Sequence, residues 1–413
     1  MRYTIIISIS ILLLSGVAFA QEDTLVLLGT NPQMGGYTVA AYDRYAFVAA
    51  DDSIKVANYS DPSNPYSATS YPAHLTEDIE VKDSLAYYVG GYLYIRDISN
   101  PLESEIVGSC VAGNPGFRVH VFDTLALVTV STGPMIHILR IIDISDPTDP
   151  QVLSTNYPTG DGWWSRMDVW KKDNYVYWVD WALDPETWYH VGQITVLDIT
   201  DPTDPIPIVV DTCLPRAPTA IWIKDNYAYV SLADYEMGPH EWINGGLIVL
   251  DVSDPYNIDS LGFFEVPREA YNVYIKGNFA YISAHLSFFE GDGVYVLDIS
   301  DPTNPTLVTY YDTPGIPKDV FVDEPYVLVA EHNSLLVFEA SFLSVPGDAN
   351  SDGIVNSSDV VYLIDYLFKN GPEPSDPNAA DVNFDCQINS ADVVYLIDYL
   401  FRGGPFPQFG CVS

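Results

Sequence analysis

Oxygen-bearing side chains recur at calcium-ligand spacing in two loops near the C-terminus. The first reads Asp348-Ala-Asn350-Ser-Asp352-Gly353-Ile354-Val-Asn356-Ser-Ser-Asp359, and the second reads Asp381-Val-Asn383-Phe-Asp385-Cys386-Gln387-Ile-Asn389-Ser-Ala-Asp392. In a loop of this kind positions 1, 3 and 5 offer side-chain oxygens, position 7 a backbone carbonyl, position 9 a ligand often acting through water, and position 12 a carboxylate. A hard cation of calcium size takes about six to eight such oxygens. Each loop runs into the same ten residues, Asp359 to Phe368 and Asp392 to Phe401. Within them Val360, Leu363, Ile364 and Leu367 fall at i, i+3, i+4 and i+7, which predicts a helix with one buried stripe behind each loop. Position 12 is Asp rather than Glu, and no helix-forming stretch precedes the first loop. The units therefore read as a loop followed by one helix, not as two-helix EF-hands.

Two such units in tandem resemble a type I dockerin, over about residues 347 to 407. The resemblance implies calcium as the cofactor, with Asp348, Asn350, Asp352, Ile354, Asn356 and Asp359 forming one shell and Asp381, Asn383, Asp385, Gln387, Asn389 and Asp392 the other. It also implies a partner, a cohesin domain on an extracellular scaffold or cell surface. The chain departs from the family at loop position 6, where Cys386 replaces the usual Gly and must take a turn conformation that costs an L-residue about 1 kcal/mol. The second site is therefore expected to be the weaker. Where dockerins carry a Ser-Thr pair and later basic residues, this chain has Ser357-Ser358 with Ile364-Asp365 and Ser390-Ala391 with Ile397-Asp398. Its cohesin is expected to read a more apolar and acidic face.

The N-terminus sets the compartment. Arg2 opens a short basic region, Ile5 to Leu14 is an apolar run too short to span a bilayer, and Ala18-Phe19-Ala20 fits a signal-peptide cleavage site. Residues 1–20 are read as a signal peptide, and the product as secreted. With 17 Lys and Arg against 56 Asp and Glu, the formal charge is -39. Such a chain repels nucleic acid and anionic membranes, so neither nucleic-acid binding nor membrane insertion is expected. Hydrophobic residues at 48% and 30 Tyr nevertheless demand a large folded core. Of four cysteines, Cys386 and Cys411 share the small module, where a bond between them would stabilise it by roughly 3 kcal/mol. Cys110 and Cys213 sit in non-consecutive repeats and are expected as buried thiols.

Between the signal peptide and the calcium loops one phrase recurs: Ser60-Asp-Pro-Ser-Asn-Pro65, Asp97-Ile-Ser-Asn-Pro101, Asp143-Ile-Ser-Asp-Pro147, Asp198-Ile-Thr-Asp-Pro202, Asp251-Val-Ser-Asp-Pro255 and Asp298-Ile-Ser-Asp-Pro302. A period of about 40 to 55 residues marks propellers or solenoids. Each phrase follows a strand-like run and ends in Asp-Pro turn chemistry, with two strands upstream and a fourth after the turn. Four antiparallel strands per unit describe a propeller blade. Seven inner strands can be counted, from Thr38-Val39 to Val320-Val322. The predicted fold is an all-β seven-bladed β-propeller over residues 21–341, a linker at 342–346, and a small C-terminal α-helical tandem calcium-loop module at 347–413. Leu25-Val-Leu-Leu28 is expected to complete the last blade and close the ring. The units are similar to LVIVD-type repeats of secreted bacterial propellers, over about residues 25 to 341. That likeness implies no catalytic residue.

Loops after the second strand lengthen in the fourth to sixth units, at Asp180 to His190, Asp234 to Trp242 and His285 to Gly293. Long loops on one face of a rigid ring are a usual place for function. These loops and the rest of the fourth repeat gather Trp163, Trp164, Trp181, Trp188, His190, His240 and Trp242, which suit a polysaccharide whose C–H faces stack on the rings and whose hydroxyls bond to carboxylates. Packing of the insertions against each other is the competing role. Arg118, Arg166, Arg216, Arg268 and Lys318 recur near the inner strands, where they would either bind an anion together or neutralise crowded acids. An enzymatic alternative, a glycoside hydrolase or polysaccharide lyase, requires two carboxylates roughly 5 to 10 Å apart, drawn from Asp161, Asp180, Asp184, Glu236 and Glu241. No nucleophile motif, phosphate loop or zinc spacing is present.

Overall fold

The computed structural model of the chain describes residues 25–50, 52–73, 76–113, 115–133, 136–156, 168–183, 190–233, 245–267, 269–285, 293–340, 346–350, 355–374, 376–408 and 410. Its body is seven four-stranded antiparallel sheets. The first strands of blades 1 to 7 are Thr38–Tyr42, Asp78–Lys82, Gly116–Phe122, Asp168–Lys172, Ala217–Lys224, Glu269–Lys276 and Pro317–Asp323. Each contacts the first strand of the next blade, and the seventh contacts the first, so these seven line a closed ring. Closure occurs as expected: the strand Leu25–Asn31 pairs with Leu335–Ala340 and supplies the outer edge of blade 7.

Blades pack face to face, so both faces of the middle strands are buried and read as continuous apolar runs. Ala46 to Ala49 are each fully buried in this way. The hairpin from first to second strand is a two-residue loop, and in blades 1 to 5 its first residue is an Asp with positive φ: Asp43, Asp83, Asp123, Asp173 and Asp225. Asp tolerates the left-handed region better than most residues because its short side chain bonds locally.

The recurring acidic phrase has a structural cause. The first Asp of the phrase accepts a hydrogen bond from the N–H two residues on, as in Asp143 from Ser145 at 2.8 Å and Asp198 from Thr200 at 2.8 Å. The second repeats the device three residues later, as in Asp146 from Thr148 and Asp201 from Thr203, both at 2.9 Å. These bonds favour the ionised form and hold the carboxyls below their usual range. A share of the chain's negative charge is thus turn chemistry.

The turns also lock neighbouring blades. Gly108, in the outer strand of blade 2, lies so close to the Asp-Pro turn of blade 3 that a β-carbon there would stand 2.0 Å from the Pro147 carbonyl oxygen. Gly29 and Gly262 make the same approach to Pro62 and Pro302. Gly108→Ala is therefore expected to lower ring stability by about 1 to 3 kcal/mol through overpacking. Thermal unfolding checks this, and an unchanged melting temperature would contradict the lock.

The C-terminal module contains three helices, α1 (Ser357–Lys369), α2 (Pro377–Ala380) and α3 (Ser390–Arg402). Val360 and Leu363 of α1 meet Val393 and Leu396 of α3 in a core shared with Ala349, Ala380 and Val382. The stripe read from the sequence is the one buried. Cys386 is disulfide-bonded, whereas its expected partner Cys411 lies outside the described residues. Cys110 is a free thiol, half-buried rather than fully buried, and burial pushes it up to about 11. The expected linker at 342–346 is described only at its last residue.

Candidate functional site

The carboxylate loops are built by their helices. Asn356, loop position 9, is the N-cap of α1 and accepts from the Ser358 N–H at 2.7 Å, while Asp359, position 12, accepts from the Asn356 N–H at 2.8 Å. Together they form a capping box, which satisfies two N–H groups a helix start leaves open. The second unit repeats it with Asn389 and Asp392. The position-12 carboxylate also accepts from the position-3 N–H, Asp359 from Asn350 at 3.2 Å and Asp392 from Asn383 at 3.4 Å. Each loop is thereby closed on itself.

In the second loop the carboxylate oxygens of Asp381, Asp385 and Asp392 lie within 4.8 Å of one another. Asp381 and Asp392 are fully buried. Burial, then the charges of Asp381 and Asp385, push the Asp392 carboxyl above its usual range. Three acids crowded this closely, two without water, fit a hard divalent cation, which would supply the compensating charge and bind loop to helix. Asn383 sits at the rim and Gln387 and Asn389 follow it, and the Asp385 carboxylate accepts from the Asn383 amide at 3.2 Å and from the Gln387 N–H at 3.0 Å. Cys386 adopts the left-handed conformation expected of it, with φ at 64°, and Phe384 does so at 60°. In the first loop Asp348 and Asp359 are buried and Asn350 half-buried. Asp352 and Ile354 lie outside the described residues.

A second constellation lines the ring's central channel, around a cavity of about 230 Å³. At one level blades 1 to 7 contribute Thr38, Asp78, Arg118, Asp168, Ala220, Asn272 and Asp319, and two residues further along each strand Ala40, Glu80, His120, Trp170, Trp222, Tyr274 and Phe321. Strand alternation puts both sets on the same side. Three of the acids clamp consecutive blades: Asp78 accepts from the Val119 N–H at 2.8 Å, Asp168 from Ile221 at 2.9 Å, and Asp319 from Val39 at 2.9 Å. His120 lies between Asp168 at 2.9 Å and Glu80 at 3.2 Å. Burial pulls its pKa down, but the two carboxylates prevail and push it up to about 10. Burial raises Asp319 to about 6.

Sequence reasoning missed this channel. Aligning the repeats on their inner strands exposes it, because alternate positions then read as a polar set and a partly aromatic set. Of the five cations singled out, Arg118, Arg216 and Lys318 are described, and of these three only Arg118 lines the cavity. Arg216 lies over the Phe263 ring of the blade it leads into, and Lys318 over Tyr271 of the neighbouring blade; Arg166 and Arg268 lie outside the described residues. At the turn end of the channel Lys82 and Lys224 donate to the Asp123 and Gly277 carbonyls, Lys276 faces Glu324 and Arg44 pairs with Asp323.

The aromatic patch is represented in the described residues by Trp181, which belongs to the strand Tyr175–Leu183 rather than to a loop. It is buried, and its indole N–H donates to the Pro218 carbonyl at 3.2 Å. Its burial removes it from the expected ligand surface, because the strand continues past the predicted loop start. His190 opens the strand His190–Asp198, its side chain outside the described residues. Trp163, Trp164, Trp188, His240 and Trp242 also lie outside them. Of the acids considered for hydrolysis only Asp180 is described; it is buried, and burial raises it to about 8.

Residues 346–401 match the model of the dockerin type I domain. The LVIVD repeat matches at 36–72, 75–111, 138–159, 216–259 and 267–313. No curated protein sequence matches the chain. Among solved structures it is similar to hydrazine synthase of Kuenenia stuttgartiensis, 12% identical over 79% of this chain and 99% of that one, with a TM-score of 0.57. It is also similar to the WD40 propeller domain of Doa1, 10% identical over 77% and 97%, TM-score 0.56, and to the Pan2 WD40 domain of Neurospora crassa, 11% identical over 78% and 97%, TM-score 0.54. At such identities the likeness is one of fold.

Proposed function

We propose that this chain, an LVIVD-repeat propeller carrying a type I dockerin domain, is a secreted, non-catalytic protein that its dockerin attaches to a cohesin-bearing scaffold or cell surface. The propeller then holds an extracellular ligand at that complex, for which a polysaccharide on the long-loop face is the reading taken from the sequence. Type I dockerin domains in general bind calcium and cohesins. No described helix is long and apolar enough to cross a membrane.

The observation that carries the docking role is a duplicated apolar surface. Val361 and Phe368 on α1, and Val394 and Phe401 on α3, are 54 to 66% exposed at matching positions of the duplicated ten-residue run. Large apolar groups left in water at equivalent places mark a contact surface. They are not the residues singled out from the sequence for that contact: Ile364 and Ile397 pack partly buried against the module's core. Because residues 359–368 and 392–401 are identical, either run offers the same pair of exposed apolar groups. Phe368→Asp or Phe401→Asp alone is expected to weaken cohesin binding modestly, and the double variant by about 2 kcal/mol or more. Surface plasmon resonance on cohesin domains from the same source tests this; a double variant that binds like the parent would overturn the assignment.

A further inference from the structure

The central channel is assigned to nothing above, yet it is built as a receptor. The cavity owes its space to one small residue: where other blades project Glu, His, Trp, Trp, Tyr and Phe, blade 1 has Ala40. In a seven-membered ring blade 1 stands opposite blades 4 and 5, so this gap faces Trp170 and Trp222. Those two rings have centroids 4.2 Å apart, Tyr274 follows at 4.7 Å and Phe321 at 5.3 Å. Half the wall is therefore a continuous run of aromatic rings.

Charged side chains share this lining. Asp78, Glu80, Asp168 and Asp319 face only Arg118 and His120, which leaves two formal negative charges uncompensated along the lining. Glu80 keeps 31% of its side chain exposed beside His120. A buried excess of negative charge against aromatic faces favours a cation that is itself partly apolar. A bare metal ion fits poorly, since the only close carboxylate triad among the described residues is that of Asp381, Asp385 and Asp392. An anion meets four carboxylates. Arg118 adds a further requirement: it is 8% exposed and lines the cavity, and its Nη2 is buried without a hydrogen-bond partner. A buried donor of this kind calls for an acceptor on whatever fills the space.

We propose that the channel binds a small organic ammonium ion that also carries a hydroxyl, of the amino-alcohol type. The ammonium sits against Trp170 and Trp222 within reach of Glu80, and the hydroxyl oxygen accepts from Arg118. The site is distinct from the long-loop face and stands or falls independently of polysaccharide binding.

Isothermal titration of the full chain in calcium-containing buffer tests it, with choline, ethanolamine and the uncharged analogue of choline in which carbon replaces nitrogen as probes. Choline and ethanolamine are expected to bind, and the uncharged analogue about tenfold more weakly or worse. Glu80→Gln, which preserves a hydrogen bond to His120, is expected to lower choline affinity about tenfold. Ala40→Leu fills the space and is expected to abolish binding while the melting temperature holds. Absence of binding by both ammonium probes, equal binding of the uncharged analogue, or unaltered affinity in Glu80→Gln would each overturn the proposal.

Discussion

Chelating calcium from the full chain is expected to unfold the C-terminal module and leave the propeller intact. The physical reason is the burial of acids. Asp348, Asp359, Asp381 and Asp392 are each at most 3% exposed, and without a cation the acids of each loop repel across a few ångströms in a medium that screens poorly. The shared core of α1 and α3 is small, so metal binding must supply much of the folding free energy. Helices among the described residues occur only in this module. Far-ultraviolet circular dichroism should therefore lose its helical component with chelator and regain it with calcium, while limited proteolysis cuts the module and spares the ring. Unchanged helicity and protection in both conditions would contradict this. Within the module the first site should bind more tightly, since Gly353 accepts the turn that Cys386 must be forced into.

Asp168→Ala is expected to be the most damaging single substitution in the ring. That carboxylate accepts from the Ile221 N–H and its own neighbour Val169, both at 2.9 Å, and pairs with His120. Truncating it opens a joint between blades 4 and 5 and strands His120 and Arg118 near other acids only, for a loss of about 3 to 5 kcal/mol. The loss depends on pH in a fixed direction. His120 is raised from 6.5 to about 10 in the folded chain, so its contribution is complete below pH 6.5 and disappears as pH rises through 10. Burial raises Asp168, but His120 and Arg118 outweigh it and hold its carboxyl below 3.8, so its contribution is present above that value and fades in acid. Urea midpoints of wild type and Asp168→Ala should differ most between those limits and by less above pH 10, where the backbone hydrogen bonds of Asp168 remain but its charge pairing with His120 is gone. A constant difference across the range would show that the pair carries no charge coupling.

Much of this architecture is legible in the sequence because it is periodic. The continuous apolar run Val294-Tyr-Val-Leu gives a strand, the Asp-Pro phrase marks six of the seven blades and the inner strands count all seven, and the unpaired Leu25–Leu28 run foretells the closing strand. The helices are legible through their duplicated stripe, and the ligand loops through spacing. The channel is not, because each blade gives it only two residues, tens of positions apart, and only the ring brings Asp78, Asp168 and Asp319 to one level. Trp181 shows the opposite failure. Its neighbourhood, rich in Asp and Trp, reads as a functional loop, yet the backbone ladder runs on to Leu183 and turns that residue into the core. That Asp359 and Asp392, expected as metal ligands, also complete the capping boxes becomes visible only once the helix start is in place.

The central claim is that two calcium ions fold the module by which this propeller is attached. Equilibrium dialysis of the full chain with radiocalcium tests it most directly, in wild type, Asp359→Ala, Asp392→Ala and the double variant. The account predicts two ions per wild-type chain, one in each single variant and none in the double; a wild type without bound calcium, or a double variant that binds as the wild type does, would contradict it.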